Sequence, residues 1–199
     1  LLSSVLVLKT QDLPERTQTA INIMALGVGG SHTQRWENSS LSFEGGYYNM
    51  EPYYKLQKQR VEWDKSPESF EGSLNFRQKV GTNGLLKAYT SFGYGDMSLF
   101  TPNLNNQSQK DYTRIKGGNL FINTNYRDFF ENDWTIFAGY SFSIDYDKFT
   151  LTQNKATQDE IFHTGKLIIS KRIAGSSFVT FGGEVLNILF KDSYNSLNS

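Results

Sequence analysis

The chain contains no cysteine among its 199 residues, which excludes disulfide frameworks and thiolate sites. Long hydrophobic runs are also missing, because no stretch approaches the ~18 apolar residues that a transmembrane helix requires. The 20 basic and 20 acidic residues cancel, so no basic field points to nucleic acid as a partner. Lack of cysteine does not fix the compartment, since many envelope proteins also lack it.

Aromatic residues make up 15% of the chain, with 15 Phe and 11 Tyr, and 17 residues are glycine. The apolar fraction of 38% lies below the ~45–50% of soluble domains, although that benchmark counts Gly and not Tyr. The apolar opening LLSSVLVLKT lacks the basic start and small-residue cleavage site of a signal peptide, and it has no initial Met. We therefore expect an internal piece of a longer protein.

Apolar and polar residues alternate with period 2 in several segments. In one of them, Trp134, Ile136 and Phe142 alternate with Ser141 and Ser143. Such alternation is typical of a β-strand with one apolar and one polar face. Comparable segments are 40–47, 73–80, 86–94 and 119–126. The sequence predicts an all-β fold, an antiparallel meander of about eight long strands.

The predicted connections alternate between short and long. Short ones are expected near residues 35–38, 81–84, 128–133 and 174–176. Long polar loops are expected near residues 49–71, 95–118 and 145–160. The strands between the short turns would have ~12–15 residues, against ~5–6 in globular proteins and ~9–11 for a tilted membrane crossing. Short turns at one end and long loops at the other favour part of a transmembrane β-barrel.

The segment KVGTNGLLK predicts a tight hairpin, since Asn-Gly is a strong turn signal. A two-residue Asn83-Gly84 loop would pair apolar with polar residues. A three-residue loop of residues 82–84 instead pairs Val80 with Leu86 and Lys79 with Lys87, which keeps each face uniform. In this register Gly84 is predicted to take the left-handed conformation of a bulge.

The polar face would be unsuitable as the core of a soluble protein. An unpaired buried polar group costs ~1–3 kcal/mol, so we expect lipid on the apolar face and water or a plug on the polar face. The residues predicted to face the lumen or plug are Arg77, Lys79, Lys87, Asn123 and Asn125.

No catalytic, cofactor or metal site can be assembled from the spacing, and the chain is not expected to be an enzyme. The two histidines, His32 and His163, lack the further ligands that a metal needs. The acidic segments SIDYDKF and QDEIF lack calcium-loop spacing. GVGG lacks the Lys-Ser/Thr of a phosphate loop. Solvated loop charge and close strand packing explain these segments better.

Aromatic residues cluster near the predicted strand ends and would form interfacial girdles on a barrel. These are Trp36, Tyr47, Tyr48, Phe92, Tyr94, Phe129, Phe130 and Trp134. Tyr53, Tyr54 and Trp63 fall in the first long loop and are candidate ligand contacts outside the cell. The alternative for all of these aromatics is a stacking platform for sugars.

The runs SSVLVLKTQDLPERTQT, SHTQRWENSSLSFEGGYYNMEPYY and RVEWDKSPESFEGSLNFRQK resemble TonB-dependent receptors of Gram-negative outer membranes. They are similar to the start of the barrel just after the plug. The resemblance implies a barrel of about 22 strands with a plugged lumen. It also implies TonB-powered import of a bulky, scarce ligand such as a metal chelate, cobalamin or a glycan.

On this reading, residues 1–16 connect plug to barrel, with a short strand at residues 5–9, and residues 17–199 form a partial barrel. The implied partners are outer-membrane lipid, the protein's own plug, the TonB complex and the imported ligand; the plug and the TonB box are not in this sequence. No binding residue carries over from the family. Two rivals stay open: a complete eight-stranded outer-membrane barrel acting as adhesin or anchor, and a soluble carbohydrate-binding β-sandwich.

Overall fold

A computed structural model of the chain describes residues 13–196 except residues 58, 60, 104, 105, 107, 153 and 176. The short strand predicted at residues 5–9 lies outside the described residues. The strands are β1 (Gln18–Met24), β2 (Gly27–Arg35), β3 (Ser39–Asn49), β4 (Glu62–Val80), β5 (Gly84–Pro102), β6 (Lys110–Phe130), β7 (Trp134–Leu151), β8 (Asn154–Ala174) and β9 (Ser177–Ser196). A short helix, α1 (Glu51–Leu56), precedes β4, and a single 3₁₀ turn, Glu131–Asp133, precedes β7.

The nine strands form one sheet in which each strand pairs antiparallel with its neighbours in the sequence. This confirms the all-β antiparallel meander, with one strand more than the eight expected. The two edges of the sheet are β1 and β9, and the sheet does not close on itself. Closure into a barrel is therefore not a property of this sheet alone.

The four short turns are confirmed and all lie at one end of the sheet. The predicted long loops are mostly wrong, because strands continue through them and β4–β9 each have 18–21 residues. The connection at 95–118 shrinks to residues 103–109, and that at 145–160 shrinks to residues 152–153. Of the long loop predicted at residues 49–71, only residues 50–61 lie outside the strands, and they include α1.

The hairpin between β4 and β5 has a three-residue loop, as predicted, but it comprises residues 81–83. Val80 pairs with Gly84, and Arg77, not Lys79, faces Lys87. Face matching could not detect this shift of two residues, because side-chain direction repeats every two residues. Gly81 takes the left-handed conformation with φ 61°, which corrects the assignment to Gly84. At Gly84, a Cβ would lie 2.4 Å from the carbonyl oxygen of Val80.

The described residues form no packed apolar interior. Leu85 is the one buried hydrophobic residue among them, whereas large apolar side chains on most strands are exposed. Backbone pairing between neighbouring strands holds the sheet together, and no second layer of described strands covers either face. In this part of the chain, no helix has the length and apolarity needed to cross a membrane.

Candidate functional site

One face of the sheet is apolar over most of the strands. Residues that pair across antiparallel strands point to the same face, so the register assigns a face to every strand position. Phe142, for example, pairs with Ile122 on one side and with His163 on the other. We call a row of residues that pair across successive strands a rank. The apolar face consists of the rank that contains Phe142 and of the ranks that lie two, four or more residues away from it along each strand. It includes Ile21, Phe43, Leu74, Phe92, Ile122, Phe142, Leu167 and Phe181.

An aromatic rank crosses the apolar face at the end remote from the short turns. Tyr47, Phe70 and Tyr94 pair in series, and Tyr146 joins them through Gly118. The ring centroids of Phe70 and Tyr94 are 5.6 Å apart. At the opposite edge of the same face, the Lys171 ammonium lies 4.9 Å from the ring centroid of Trp134.

On β4–β7, charged residues begin in the next rank beyond the aromatic rank. That rank holds Glu68, Asp96, Lys116 and Lys148. We call the parts of β4–β8 beyond the aromatic rank the extension, and the parts between this rank and the short turns the banded section. In the extension both faces carry polar side chains, which is why the sequence pattern there looks like a loop.

The predicted aromatic pairs divide between the two faces. Tyr48 and Phe129 fall on the polar face, whereas their neighbours Tyr47 and Phe130 fall on the apolar face. Adjacent strand residues point in opposite directions, so Tyr47-Tyr48 and Phe129-Phe130 cannot each contribute both members to one girdle. The girdle prediction is corrected to one residue of each pair.

The five residues predicted to face a lumen or plug all lie on the polar face. Arg77, Lys87 and Asn125 occupy a single rank across β4, β5 and β6. Lys79 lies one rank nearer the short turns, and Asn123 one rank farther away. The Asn125 side chain donates a hydrogen bond of 3.0 Å to Asn123 Oδ1. The structure therefore places the five residues predicted to face the lumen or plug on one face of the sheet, in three adjacent ranks.

A hollow of about 730 Å³ lies among β1–β6. Glycines in its lining leave space between the taller side chains of Glu44, Glu71, Tyr89 and Asn119. The alternating pattern alone did not identify this hollow, although the glycines inside the predicted strands could have indicated it.

The aromatic ligand candidates lie in regular structure and not in an extended loop. Tyr53 and Tyr54 belong to α1, and Trp63 belongs to β4. The rings of Tyr54 and Trp63 stack with centroids 5.3 Å apart and planes 20° apart. The Trp63 Nε1–H group is buried without a hydrogen-bond partner among the described residues. One face of each stacked ring is therefore occupied by the other, and Tyr53 is the more exposed side chain.

The sequence analysis did not predict the ion-pair cluster in the extension. Asp96 is 4% exposed and accepts hydrogen bonds from Arg114 at 2.7 and 3.0 Å and from Lys65 at 2.8 Å. Lys65 also pairs with Glu68 at 2.5 Å. The guanidinium of Arg114 lowers the pKa of Asp96 to about 2, aided by Lys65 and opposed by burial. The carboxylate in turn raises the pKa of Lys65 and of Arg114.

Both histidines lie on the apolar face and bond to hydroxyl groups. His32 Nδ1 is 2.8 Å from Thr19 Oγ1, and His163 Nδ1 is 2.8 Å from the Tyr140 hydroxyl. In the part of the chain described, no group of three or more His, Cys, Asp or Glu side chains could hold a metal ion. The glycines of GVGG lie in β2 and pair with strand neighbours.

Comparison of the chain with protein-family models, with curated proteins and with solved structures finds no match. The features of this chain that bear on function are the two faces of its sheet and the boundary between the banded section and the extension.

Proposed function

We propose that this chain is part of the β-barrel of a TonB-dependent receptor in the outer membrane of a Gram-negative bacterium. It would import a bulky, scarce ligand of the metal-chelate, cobalamin or glycan type, without bond chemistry. The observation that carries this proposal is the face of the banded section that is predominantly apolar from β4 to β7 and gives way to charged residues beyond the aromatic rank.

The height of the apolar face fits a bilayer. On β5 it spans residues 86–94, in keeping with the ~9–11 residues of a tilted membrane strand. At ~3.3 Å per residue and a tilt of ~45°, such a stretch rises roughly 20–25 Å, close to the apolar band of outer-membrane barrels. Aromatic rings at both edges suit the two interfaces.

Exposure of the apolar side chains also supports a lipid environment. Phe43, Phe70 and Leu74 are 51%, 45% and 48% exposed on neighbouring strands. A contiguous apolar surface of this kind is rare on soluble monomers and marks contact with membrane or protein. The short turns would lie on the periplasmic side, and the extension would project outside the cell.

The polar face would line the lumen around the plug, with Arg77, Lys79, Lys87, Asn123 and Asn125 in contact with the plug or the path. The sheet has nine strands and open edges at β1 and β9, whereas single-chain bacterial outer-membrane barrels have an even number of strands. This open sheet favours a section of a large barrel over a complete eight-stranded one.

The second rival, a soluble sandwich, requires two packed sheets. All nine described strands belong to one sheet, and the described residues hold no packed apolar interior. Both features favour the membrane-barrel interpretation over the sandwich.

The first test is membrane fractionation of the full-length gene product. We expect the protein in the outer-membrane fraction after an alkaline wash, with a migration on gels that changes on heating. Recovery in the soluble fraction without detergent would exclude both barrel interpretations. The coding region upstream of residue 1 separates these two: a plug-like domain supports the receptor, whereas a start codon followed by a signal peptide supports the small barrel.

A second test assigns the faces. The chain has no cysteine, so Phe142→Cys on the apolar face and Ser141→Cys on the polar face can be labelled with bimane. Lipids carrying a nitroxide on the acyl chain should quench the label at 142 and leave the label at 141 bright. Equal quenching at both positions would contradict the proposal.

The transport step is tested by growth on defined nutrients in strains with and without TonB. Ferric siderophores, cobalamin and oligosaccharides serve as probes, one class at a time. We expect at least one class to require both this gene and TonB. Uptake that needs the gene but not TonB would contradict the receptor assignment while leaving the barrel intact.

A further inference from the structure

Two lysines face each other directly at the start of the extension. Lys116 of β6 and Lys148 of β7 are cross-strand partners on the same side as the apolar face, one rank beyond Tyr94 and Tyr146. Directly opposed like charges destabilise a sheet. Lys155 of β8 lies on the same side, paired with Thr150. This corner of the extension therefore concentrates positive charge.

The acidic residues nearby are already engaged with other cations. Asp96 is the cross-strand partner of Lys116, but its carboxylate binds Arg114 and Lys65. Glu68 pairs with Lys65. Among the described residues neither Lys116 nor Lys148 forms an ion pair, and the Lys116 ammonium lies 5.6 Å from the centroid of the Tyr94 ring.

The same side of the extension also carries Glu62, which pairs with Lys110, and Asp64, which accepts hydrogen bonds from Ser98 and Tyr112. Asp159 of β8 pairs with Tyr146 and, on the other side, with Lys191 of β9. It lies in the aromatic rank, one rank below the two lysines. A single carboxylate placed between Lys148 and Lys191 leaves the corner with an excess of positive charge.

We propose that Lys116 and Lys148, with Lys155, bind the phosphate groups of a phosphorylated glycolipid of the outer leaflet. This inference rests on the proposed function, which places the extension outside the cell. The aromatic rank would mark the headgroup level, and the lysines lie immediately beyond it, where lipid phosphates are found. Their charge is complementary to a lipid with more than one phosphate, which would also relieve the repulsion between the two ammonium groups.

Position distinguishes a lipid phosphate from a free phosphate. The two lysines are half-buried, stand side by side on the lipid side of the sheet and have tyrosines below them. A ligand that combines phosphates with acyl chains can contact both the lysines and the apolar face. A free phosphate can contact the lysines alone.

The experiment uses full-length protein purified from outer membranes in mild detergent. Bisphosphoryl lipid A, monophosphoryl lipid A and inorganic phosphate are the probes, with binding read by native mass spectrometry and by competition. If each lysine contributes as much binding free energy as one basic residue at a charged membrane surface, Lys116→Gln or Lys148→Gln should weaken lipid A binding about fivefold. The double variant should weaken it about 25-fold.

The matched control is Lys171→Gln, which removes the same charge from the opposite edge of the same face. We expect it to bind bisphosphoryl lipid A as the unaltered protein does. We also expect weaker binding of the monophosphoryl form and no competition by millimolar inorganic phosphate. Gel migration before and after heating confirms that every variant has folded.

Unchanged lipid A binding in the folded double variant would overturn the site, as would an equal loss in the Lys171 control. Effective competition by inorganic phosphate would overturn the lipid as its ligand. These results would leave the proposed function intact, because each requires a folded membrane barrel. Recovery of the unaltered protein in the soluble fraction would instead remove the proposed function and this inference together.

Discussion

The banded section and the extension are built from the same strands but present different surfaces. In the banded section, neighbouring residues such as Phe142 and Ser141 point to opposite, chemically distinct faces. In the extension, the side of the sheet that is apolar in the banded section carries the charged residues Asp96, Arg114 and Lys116. The backbone pairing of β5–β8 continues from one region to the other, although β4 pairs irregularly with β5 between Trp63 and Glu68. The chemistry of the side chains, and not the strand itself, therefore changes at the aromatic rank.

The difference also determines what stabilises each region. The banded section would depend on a lipid environment for its apolar face, since the described residues supply no packed interior. In the extension, by contrast, Lys65, Asp96 and Arg114 form ion pairs across three strands, and these pairs contribute stability without lipid. We therefore expect the two regions to differ in the substitutions that they tolerate.

The largest effect is expected for a charge placed on the apolar face. Under the proposed function, Phe142→Arg should destabilise the folded protein by ~2–4 kcal/mol, the cost of a basic residue near the bilayer midplane of a membrane barrel. Denaturant titration of the full-length protein in lipid vesicles measures the change. Ser141→Arg is the matched control, because its partners Asn123 and Thr164 are polar, and it should change stability by less than ~1 kcal/mol. Equal losses of stability in Phe142→Arg and Ser141→Arg would contradict the assignment of these two positions to chemically different faces.

The next effect is expected in the extension. Asp96→Asn leaves Lys65 and Arg114 without their shared carboxylate. Breaking a buried ion pair costs ~3–5 kcal/mol, but these two side chains are 35% and 41% exposed, so we expect a loss of ~1–2 kcal/mol. Hydrogen exchange of β5 and β6 locates the loss. It should be confined to the extension, and faster exchange in the banded section would argue against two independent regions.

The exposed pair Lys55–Glu51 provides the control for this variant. Its side chains are 73% and 53% exposed, so Glu51→Gln should change stability by less than ~1 kcal/mol. A loss as large as that of Asp96→Asn would mean that burial does not distinguish the two pairs.

Acid should weaken the extension through the same carboxylate. The folded-state pKa of Asp96, about 2, lies below its ordinary value of 3.8. Ionised Asp96 therefore stabilises the fold fully above about pH 4, and this stabilisation is lost as pH falls toward about 2. Pepsin cleavage of the extension, followed from pH 4 to pH 2, should accelerate in the unaltered protein. The acceleration should be smaller in Asp96→Asn; identical profiles would remove Asp96 as the cause.

The contrast between the regions also explains what could be predicted from the sequence. The faces and short turns of the banded section follow from local alternation, as in residues 134–143. The extension could not be predicted this way, because both of its faces are polar and the hydrophobic period disappears at Asp96 and Lys116. Its ion cluster joins Lys65, Asp96 and Arg114 from three strands, and their proximity depends on pairing that no local pattern specifies.

Register was predictable only to within two residues. The faces of β4 and β5 were correctly grouped, yet Lys87 lies opposite Arg77 and not Lys79, because a shift of two preserves both faces. The turn geometry resolves this ambiguity, and it does so through Gly81 with its positive φ.

The last prediction concerns that turn, where the expected loss of stability is no larger than that of Asp96→Asn. Gly81→Ala places a Cβ in the left-handed region, where it costs ~1–2 kcal/mol, although no neighbouring atom lies within 4 Å of it. Gly81→Asn should cost less, since Asn tolerates this conformation better. Denaturant titration of both variants in vesicles compares them. If Ala and Asn prove equally destabilising, side-chain bulk and not backbone conformation fixes the turn, and the register of β4 against β5 must have another determinant.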